Sequence, residues 1–438
     1  MSKRQWLHLV SGLAGATALA ACGAQSGASD ERGATAATAE PVTIRHIPWN
    51  ATKDIQAPQD VVEIFAAKQP RITVAVEPPA ANVYEKLDTL LAADQAPDTI
   101  YLQGWRWQEY AVRGAVLNLT PLLRKDRGFS ASTVLTKPHL DQTTWQDGTY
   151  MIPNDTGGYV LYFNKDLFNR AGMAYPSDRW TWDDWFQAAE RLTTGEGDAK
   201  IYGYEAQRPW RRNSWWIKQA GKEAWDRIVA PTKSLLDDAV VIDTIQRQVD
   251  MVHRYRYSPV PGTKEVNIYT GRTAMKVEGD WIMWRFRQDQ RIPWDIAPLP
   301  KHKQRATVLL VHGSSGMAGT KHPDAAWEWL KFYTTEEAQR AHVLATGRVP
   351  ITPELAKKIF LPYAESEYGA EHPEAFLTRW DYGSHYGITD LLAEVEQEAI
   401  NPAFTALFNG EQAVASTLPE AARKATEILK GSRMAAER

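Results

Sequence analysis

The chain predicts an α/β fold, and three strand-like runs with two helical patterns between them carry the prediction. Residues 41–49, 71–77 and 99–103 read as strands. Between the first two, residues 59–68 place Val61, Val62, Ile64 and Phe65 on one helical face. Between the second and third, Val83, Leu87, Leu90 and Leu91 recur at spacings of four, seven and eight. The order β-α-β-α-β is that of a parallel sheet covered by helices.

Further along, residues 149–152 and 158–163 are apolar runs separated by Pro153-Asn154-Asp155-Thr156-Gly157. That breaker-rich segment suits a crossing between two lobes. Thr181 with Asp184 forms a near capping box that opens a helix with Trp182, Trp185, Phe186 and Ala189 inward. Thr334 with Glu337 repeats the pattern. His322-Pro323 starts a helix with proline at its first position, carrying Trp327, Leu330 and Lys331. Residues 418–429 are helical too, and no internal repeat is present.

The N-terminus has the build of a secretory signal: Lys3 and Arg4 precede an apolar run over residues 9–21. That run is too short to span about 30 Å of hydrocarbon as a helix. Leu19-Ala20-Ala21-Cys22-Gly23 resembles the bacterial lipobox, which implies lipidation of Cys22 and a mature chain starting there; an ordinary signal with a chance cysteine is the alternative. Ser2-Lys3-Arg4-Gln5-Trp6-Leu7 resembles a twin-arginine signal with lysine in place of the first arginine, so the export route stays open. Residues 22–40 then form a tether of small polar residues with a reach of about 20 Å. The expectation is an extracytoplasmic lipoprotein held at a membrane.

Composition bounds the function classes. The net charge of −3 becomes −5 when Lys3 and Arg4 leave with residues 1–21, and no basic stripe suggests nucleic acid. Cys22 is the only cysteine, so no intrachain disulfide forms. About 400 folded residues suffice for two domains.

Six segments in order resemble the family 1 extracellular solute-binding proteins of ABC transporters, relatives of the maltose-binding protein. They are Gly114-Ala115-Val116-Leu117-Asn118-Leu119-Thr120-Pro121, Tyr159-Val160-Leu161-Tyr162-Phe163-Asn164-Lys165-Asp166-Leu167-Phe168 and Thr181-Trp182-Asp183-Asp184-Trp185. Thr273-Ala274-Met275-Lys276-Val277-Glu278-Gly279-Asp280-Trp281, Ala325-Ala326-Trp327-Glu328-Trp329-Leu330 and Gly347-Arg348-Val349-Pro350 follow. The resemblance implies a two-lobed periplasmic-binding-protein type II fold, each lobe a mainly parallel sheet flanked by helices, with three crossings and ligand in the cleft. Lobe 1 would be residues 41–154 plus 310–349, and lobe 2 residues 155–309 plus 350–438, with crossings near Asp155, Leu310 and Arg348.

Eighteen tryptophans fit a sugar ligand, because a pyranose packs its C–H face on an indole while planar polar side chains bind its hydroxyl rim. Helical register assigns Trp182, Trp185 and Trp327 to the core. Trp49 and Asn50 end the first strand, and Trp105-Arg106-Trp107 follows the third, where doubly wound sheets gather ligands. Asp155 and Thr156 stand at the first crossing. Trp215, Trp216 and the run Glu278-Gly279-Asp280-Trp281 are the candidates in the second lobe; the maltose-binding relative has proline where this chain has Asp280. Gly313 and Ser314 offer backbone N–H groups and a hydroxyl, unless they form a plain turn. Arg348, Arg379 and Trp380 complete the set.

No metalloprotease motif, phosphate loop or nucleophile elbow is present, and the ten histidines lack metal-ligand spacing. The expected function is a binding protein without enzyme activity, cofactor or metal. It would be a monomer delivering a mono- or oligosaccharide to an ABC permease. An anionic solute such as a glycerol phosphate is an alternative suggested by Arg106, Arg208, Arg211, Arg212 and Arg379. A secreted glycosidase built on Glu278, Asp280 and Asp155 is another.

Overall fold

Two sheets organise the chain, each built from strands that are close to one another in space and far apart in sequence. The computed structural model describes residues 40–49, 56–78, 80–129, 134, 137–288 and 292–437. Cys22, the signal and tether around it, and Asn50 lie outside the described residues. Residues from Pro41 onward form one body.

The first sheet runs β2 (Ile72–Val76), β1 (Val42–Ile47), β3 (Thr99–Gln103), β8 (Leu310–Gly316), β4 (Ile152–Gly157). Strand β1 pairs parallel with β2 and β3, as the β-α-β-α-β reading requires. Helix α1 (Gln56–Lys68) buries Val61 and Phe65 against Ile44, Val74 and Trp329, while α2 (Val83–Ala92) buries Val83 and Leu87 against Ile47, Ile100 and Leu102. Strand β8 arrives from 200 residues later and pairs antiparallel with both β3 and β4.

The second sheet is β6 (Met275–Glu278), β5 (Val160–Asn164) and β7 (Trp294–Ala297). Both pairings are antiparallel, so the parallel sense expected for this lobe does not hold; its three strands have no βαβ unit to set a parallel sense. Strand β5 is buried on both faces: Leu161 and Phe163 join one apolar cluster, and Val160 and Tyr162 the other. A continuous apolar run is what such a strand needs.

Three local expectations are corrected. The segment Pro153 to Gly157 is strand, not irregular backbone. It lies at the edge of the first sheet, where the missing proline N–H leaves no ladder bond unmade, and Pro153 sits at a register shift opposite Gly313. Only Gly158 and Tyr159 separate it from β5. Gly313 and Ser314 are likewise interior to β8 and do not form a loop; a Cβ on Gly313 would stand 2.1 Å from the Ile152 carbonyl oxygen, so glycine is needed for the strands to meet. Finally, the helix α7 (Glu336–Thr346) is capped by Thr335, whose hydroxyl accepts from Ala338 N–H. Thr334 closes the turn of the preceding helix α6 (Pro323–Phe332) by donating to the Lys331 carbonyl, 2.7 Å away. The capping box at Thr181 and Asp184 forms as expected, opening α4 (Trp182–Leu192).

Candidate functional site

The ends of β1 and β3 in the first sheet and of β6 in the second bring aromatic side chains into one gap. Trp49, just past β1, is half-buried, with its ring 6.1 Å from Tyr84 and 5.9 Å from Tyr101. Trp105, just past β3, meets His312 edge-on at 5.1 Å and Tyr386 at 5.9 Å. The Arg211 guanidinium lies 4.2 Å over the Trp105 ring. Across the gap, Trp281 follows β6 and carries the Arg212 guanidinium 4.7 Å over its ring, with Arg348 at 5.8 Å and Tyr159 edge-on at 5.9 Å. Gly279 has a local reason: a Cβ there would lie 2.2 Å from the Trp281 ring, so glycine lets the indole fold back over its own strand end.

Charge in this gap is matched nearly residue for residue. Glu278 binds both the Trp281 indole N–H, at 2.9 Å, and Arg212, at 2.8 Å. Arg106 lies 3.9 Å over the Tyr84 ring and pairs with Glu109 at 2.6 Å. Arg211 is gripped by both carboxylate oxygens of Glu396, which also accepts the Trp210 indole N–H at 2.6 Å. Arg106, Arg211 and Glu396 also line an open groove of about 600 Å³ beside the gap, whose other walls come from residues 393–411.

Asp155 sits at the floor, fully buried on β4, and accepts from the Tyr101 hydroxyl at 2.9 Å, with His342 Nε2 at 3.3 Å. Burial pushes its carboxyl up, but His342, His312 and Arg348 outweigh burial and hold it down at about 2. His312 goes the other way in charge: burial, with Arg348 and Arg211 nearby, lowers it to about 4 against the pull of Asp155. At neutral pH the floor is therefore a carboxylate beside an uncharged imidazole. Asp155, Trp49 and Arg348 also share a small cavity of about 20 Å³, room for about one water.

Several predicted contacts are placed elsewhere. Trp107 is fully buried in the first lobe's core, stacked on Tyr150 at 5.6 Å with its N–H donated to the Gln142 carbonyl at 2.8 Å. Trp215 and Trp216 are fully buried against Trp185, at 5.5 and 4.7 Å. Thr156 spends its N–H on the Val349 carbonyl, at 2.9 Å, and its hydroxyl on the Pro350 carbonyl, at 3.0 Å, so it ties β4 to the segment that follows residue 346. Asp280 and Arg379 form a buried pair at 3.3 Å, and Arg379 also donates to the Thr156 carbonyl at 2.8 Å. Trp380 packs against the second lobe's cluster. Ser314 accepts from the Asn154 side chain at 3.1 Å, and it and Gly313 are held within the first sheet.

Sequence reasoning missed Glu396, Tyr386, Tyr101, Tyr84, His342 and His312. His312 directly precedes the quoted Gly313, and Arg211 and Arg212 were marked only as cations. Glu396 and Tyr386 carry no local signal; the fold alone brings them to Trp105.

Asp295, Glu371 and His372 are the candidate metal cluster among the described residues, with ligand atoms within 4.8 Å of one another. The Asp295 carboxylate is already taken up by the Glu371 and His372 backbone N–H groups, at 3.0 and 3.2 Å, and by the His372 ring at 2.5 Å. It works as a local cap. Among the described residues, no helix is long and apolar enough to cross a membrane.

Comparison with known proteins agrees with this architecture. The family described as bacterial extracellular solute-binding protein matches residues 50–340. An uncharacterized ABC transporter extracellular-binding protein of Pyrococcus horikoshii is 22% identical over 398 residues, covering 82% of this chain and 85% of its own. An ABC substrate-binding protein from Listeria monocytogenes, solved with cycloalternan, superposes with a TM-score of 0.79 at 23% identity, over 89% of this chain and 99% of that one. The cyclic α-maltosyl-1,6-maltose binding protein from Arthrobacter globiformis gives a TM-score of 0.76 at 18% identity, over 89% and 99%. These likenesses share the two-lobed α/β fold, and with a family match spanning most of the sheets and the gap between them, the chain belongs to the bacterial extracellular solute-binding proteins.

Proposed function

We propose that this chain captures an uncharged mono- or oligosaccharide between its two lobes and delivers it to the permease of an ABC importer. One observation carries the reading: Trp105 and Trp281, from opposite sides of the gap, are half-buried, and each is edged by guanidinium and carboxylate groups that already neutralise one another. A sugar offers such a site a C–H face for each indole and hydroxyls for the polar rim. The Listeria relative solved with cycloalternan and the Arthrobacter protein named for a cyclic maltosyl-maltose support a carbohydrate here. The lobes are proposed as residues 41–154 plus 310–349 and 155–309 plus 350–438, with crossings near Asp155, Leu310 and Arg348. Ligand contacts from both lobes favour the closed form, since only differential affinity shifts the equilibrium.

Charge matching favours a neutral solute over the anionic alternative: of the five arginines that suggest it, Arg106, Arg211, Arg212 and Arg379 each face a carboxylate, and Arg208 lies beside Gly262. Binding is proposed rather than hydrolysis: Asp280 is paired with Arg379, Glu278 with Arg212 and the Trp281 indole, and Asp155 with Tyr101 and His342. The chain is proposed to act as a monomer, exported and tethered to a membrane through lipid on Cys22. A thermal-shift screen of neutral sugars against sugar phosphates checks the solute class: stabilisation by neutral sugars is expected, and stabilisation by phosphates alone overturns it. Release of reducing sugar from an oligosaccharide would point instead to the glycosidase. Labelling by radioactive palmitate in wild type but not in Cys22→Ala checks the anchor.

A further inference from the structure

We infer that Glu396 sets the charge selectivity of the gap, acting through Arg211 to exclude anionic solutes. The inference rests on the carbohydrate reading above. Glu396 opens a single π-helical turn (Glu396–Ile400), a distortion that recurs at functional positions. It is almost fully buried, holds the Trp210 indole N–H at 2.6 Å, and grips Arg211 through that residue's Nε and one terminal nitrogen. That grip aims the guanidinium over Trp105, 4.2 Å away, and over Tyr386, at 5.5 Å.

Without a counter-ion, a guanidinium on the wall of this groove would be a receptor for carboxylate or phosphate, matching either in a two-pronged fork. With Glu396 in place, two donor groups of the fork are already used, and an incoming anion meets the Glu396 charge behind them. An uncharged sugar loses nothing by this, because its hydroxyls need single hydrogen bonds and the indole needs only a C–H face. Glu396 is thus a positioning residue: the side chains it holds are those of Arg211 and Trp210. At the neighbouring arginines the charge is already matched, Arg106 by Glu109 and Arg212 by Glu278, so the loss of Glu396 changes the balance at Arg211.

The test compares isothermal titration of neutral sugars with that of their uronic acids: glucose with glucuronate, galactose with galacturonate, mannose with mannuronate, and maltose alongside. Wild type should prefer the neutral member of each pair. Glu396→Gln should raise the acid-to-neutral affinity ratio about tenfold at low salt, with the gain shrinking toward 0.5 M salt, because one unpaired charge now faces the solute. Arg211→Gln should move the ratio the other way, and the double variant should return it toward wild type. If Glu396→Gln does not fold, the step from Arg211→Gln to the double variant still removes the same negative charge and should raise the ratio alike. An unchanged ratio across these steps, in folded proteins that bind neutral sugar, overturns the inference alone. Failure of every sugar and acid to bind wild type overturns the carbohydrate reading and this inference with it.

Discussion

Trp105 and Trp107 stand two residues apart, yet they belong to different regions. Trp107 has its faces covered by Tyr150 and the first lobe's core and its N–H held by Gln142. Trp105 turns the other way, half-buried, with the Arg211 guanidinium on its face. The same contrast recurs on a larger scale between the stack of Trp182, Trp185, Trp215 and Trp216 and the pair Trp49 and Trp281. In the stack, rings cover rings; at the gap, Trp105 and Trp281 carry guanidinium groups over their faces, and Trp49 is half-buried beside Tyr84 and Tyr101. What distinguishes the tryptophans proposed to bind is therefore what covers them, a property of the fold and not of the residue.

The contrast breaks most sharply under truncation. Trp185→Ala opens a cavity under two other indoles and should lower the unfolding free energy by about 4 kcal/mol in a urea titration. Trp281→Ala removes a half-buried ring and should lower stability by only about 1 kcal/mol while weakening sugar binding by about 2 kcal/mol, roughly thirtyfold in Kd. Equal losses of stability in the two variants, or unchanged affinity in Trp281→Ala, would erase the distinction.

Legibility in the sequence divides along the same line. The run from β1 to β3, the buried faces of α1 and α2, and the Thr181 capping box all rest on local spacing, and local spacing is what a sequence displays. Pro153 to Gly157 reads as irregular backbone because proline and glycine usually break strands; an edge position and a register shift accommodate them. Thr334 and Thr335 differ by one residue because both are good caps, and only the end of α6 decides between them. Trp215 and Trp216 looked available because no register assigned them, whereas tertiary packing closes over both. Glu396 and Tyr386 were invisible, since nothing in their own neighbourhood points toward Trp105.

Acid offers a second, smaller way to divide the regions, through the histidine that touches Trp105. His312 is buried and uncharged, with its folded value near 4 against 6.5 for an exposed imidazole. The unfolded chain therefore takes up a proton first as pH falls. Its contribution to stability is complete above about pH 6.5 and is lost progressively down to about pH 4, amounting to at most about 3 kcal/mol. Asp155 behaves as a depressed carboxyl: its contribution is complete above about pH 4 and is lost as pH falls toward 2. His46, at about 3, and His139, at about 4, share the direction of His312, so the comparison needs a variant. His312→Asn should show a shallower loss of unfolding free energy between pH 6.5 and 4.5 than wild type does. Parallel curves would mean that His312 is not held neutral by the gap.

The finest test returns to the neighbouring pair, with a substitution that keeps an aromatic ring in each place. Trp107→Phe removes the indole N–H that the buried Gln142 carbonyl accepts at 2.8 Å. That carbonyl is left unsatisfied, which should lower stability by about 1–2 kcal/mol, and affinity for sugar should not change. Trp105→Phe breaks no indole hydrogen bond among the described residues, and Arg211 still has a ring face beneath it. Stability should stay within about 0.5 kcal/mol of wild type. The smaller face gives less area to a pyranose and a weaker quadrupole to Arg211, so sugar affinity should fall a fewfold. The pair thus exchanges effects: the core residue moves unfolding and leaves titration unchanged, and the gap residue does the reverse. A fall in affinity for Trp107→Phe equal to that for Trp105→Phe would place both rings against the solute and dissolve the boundary between them.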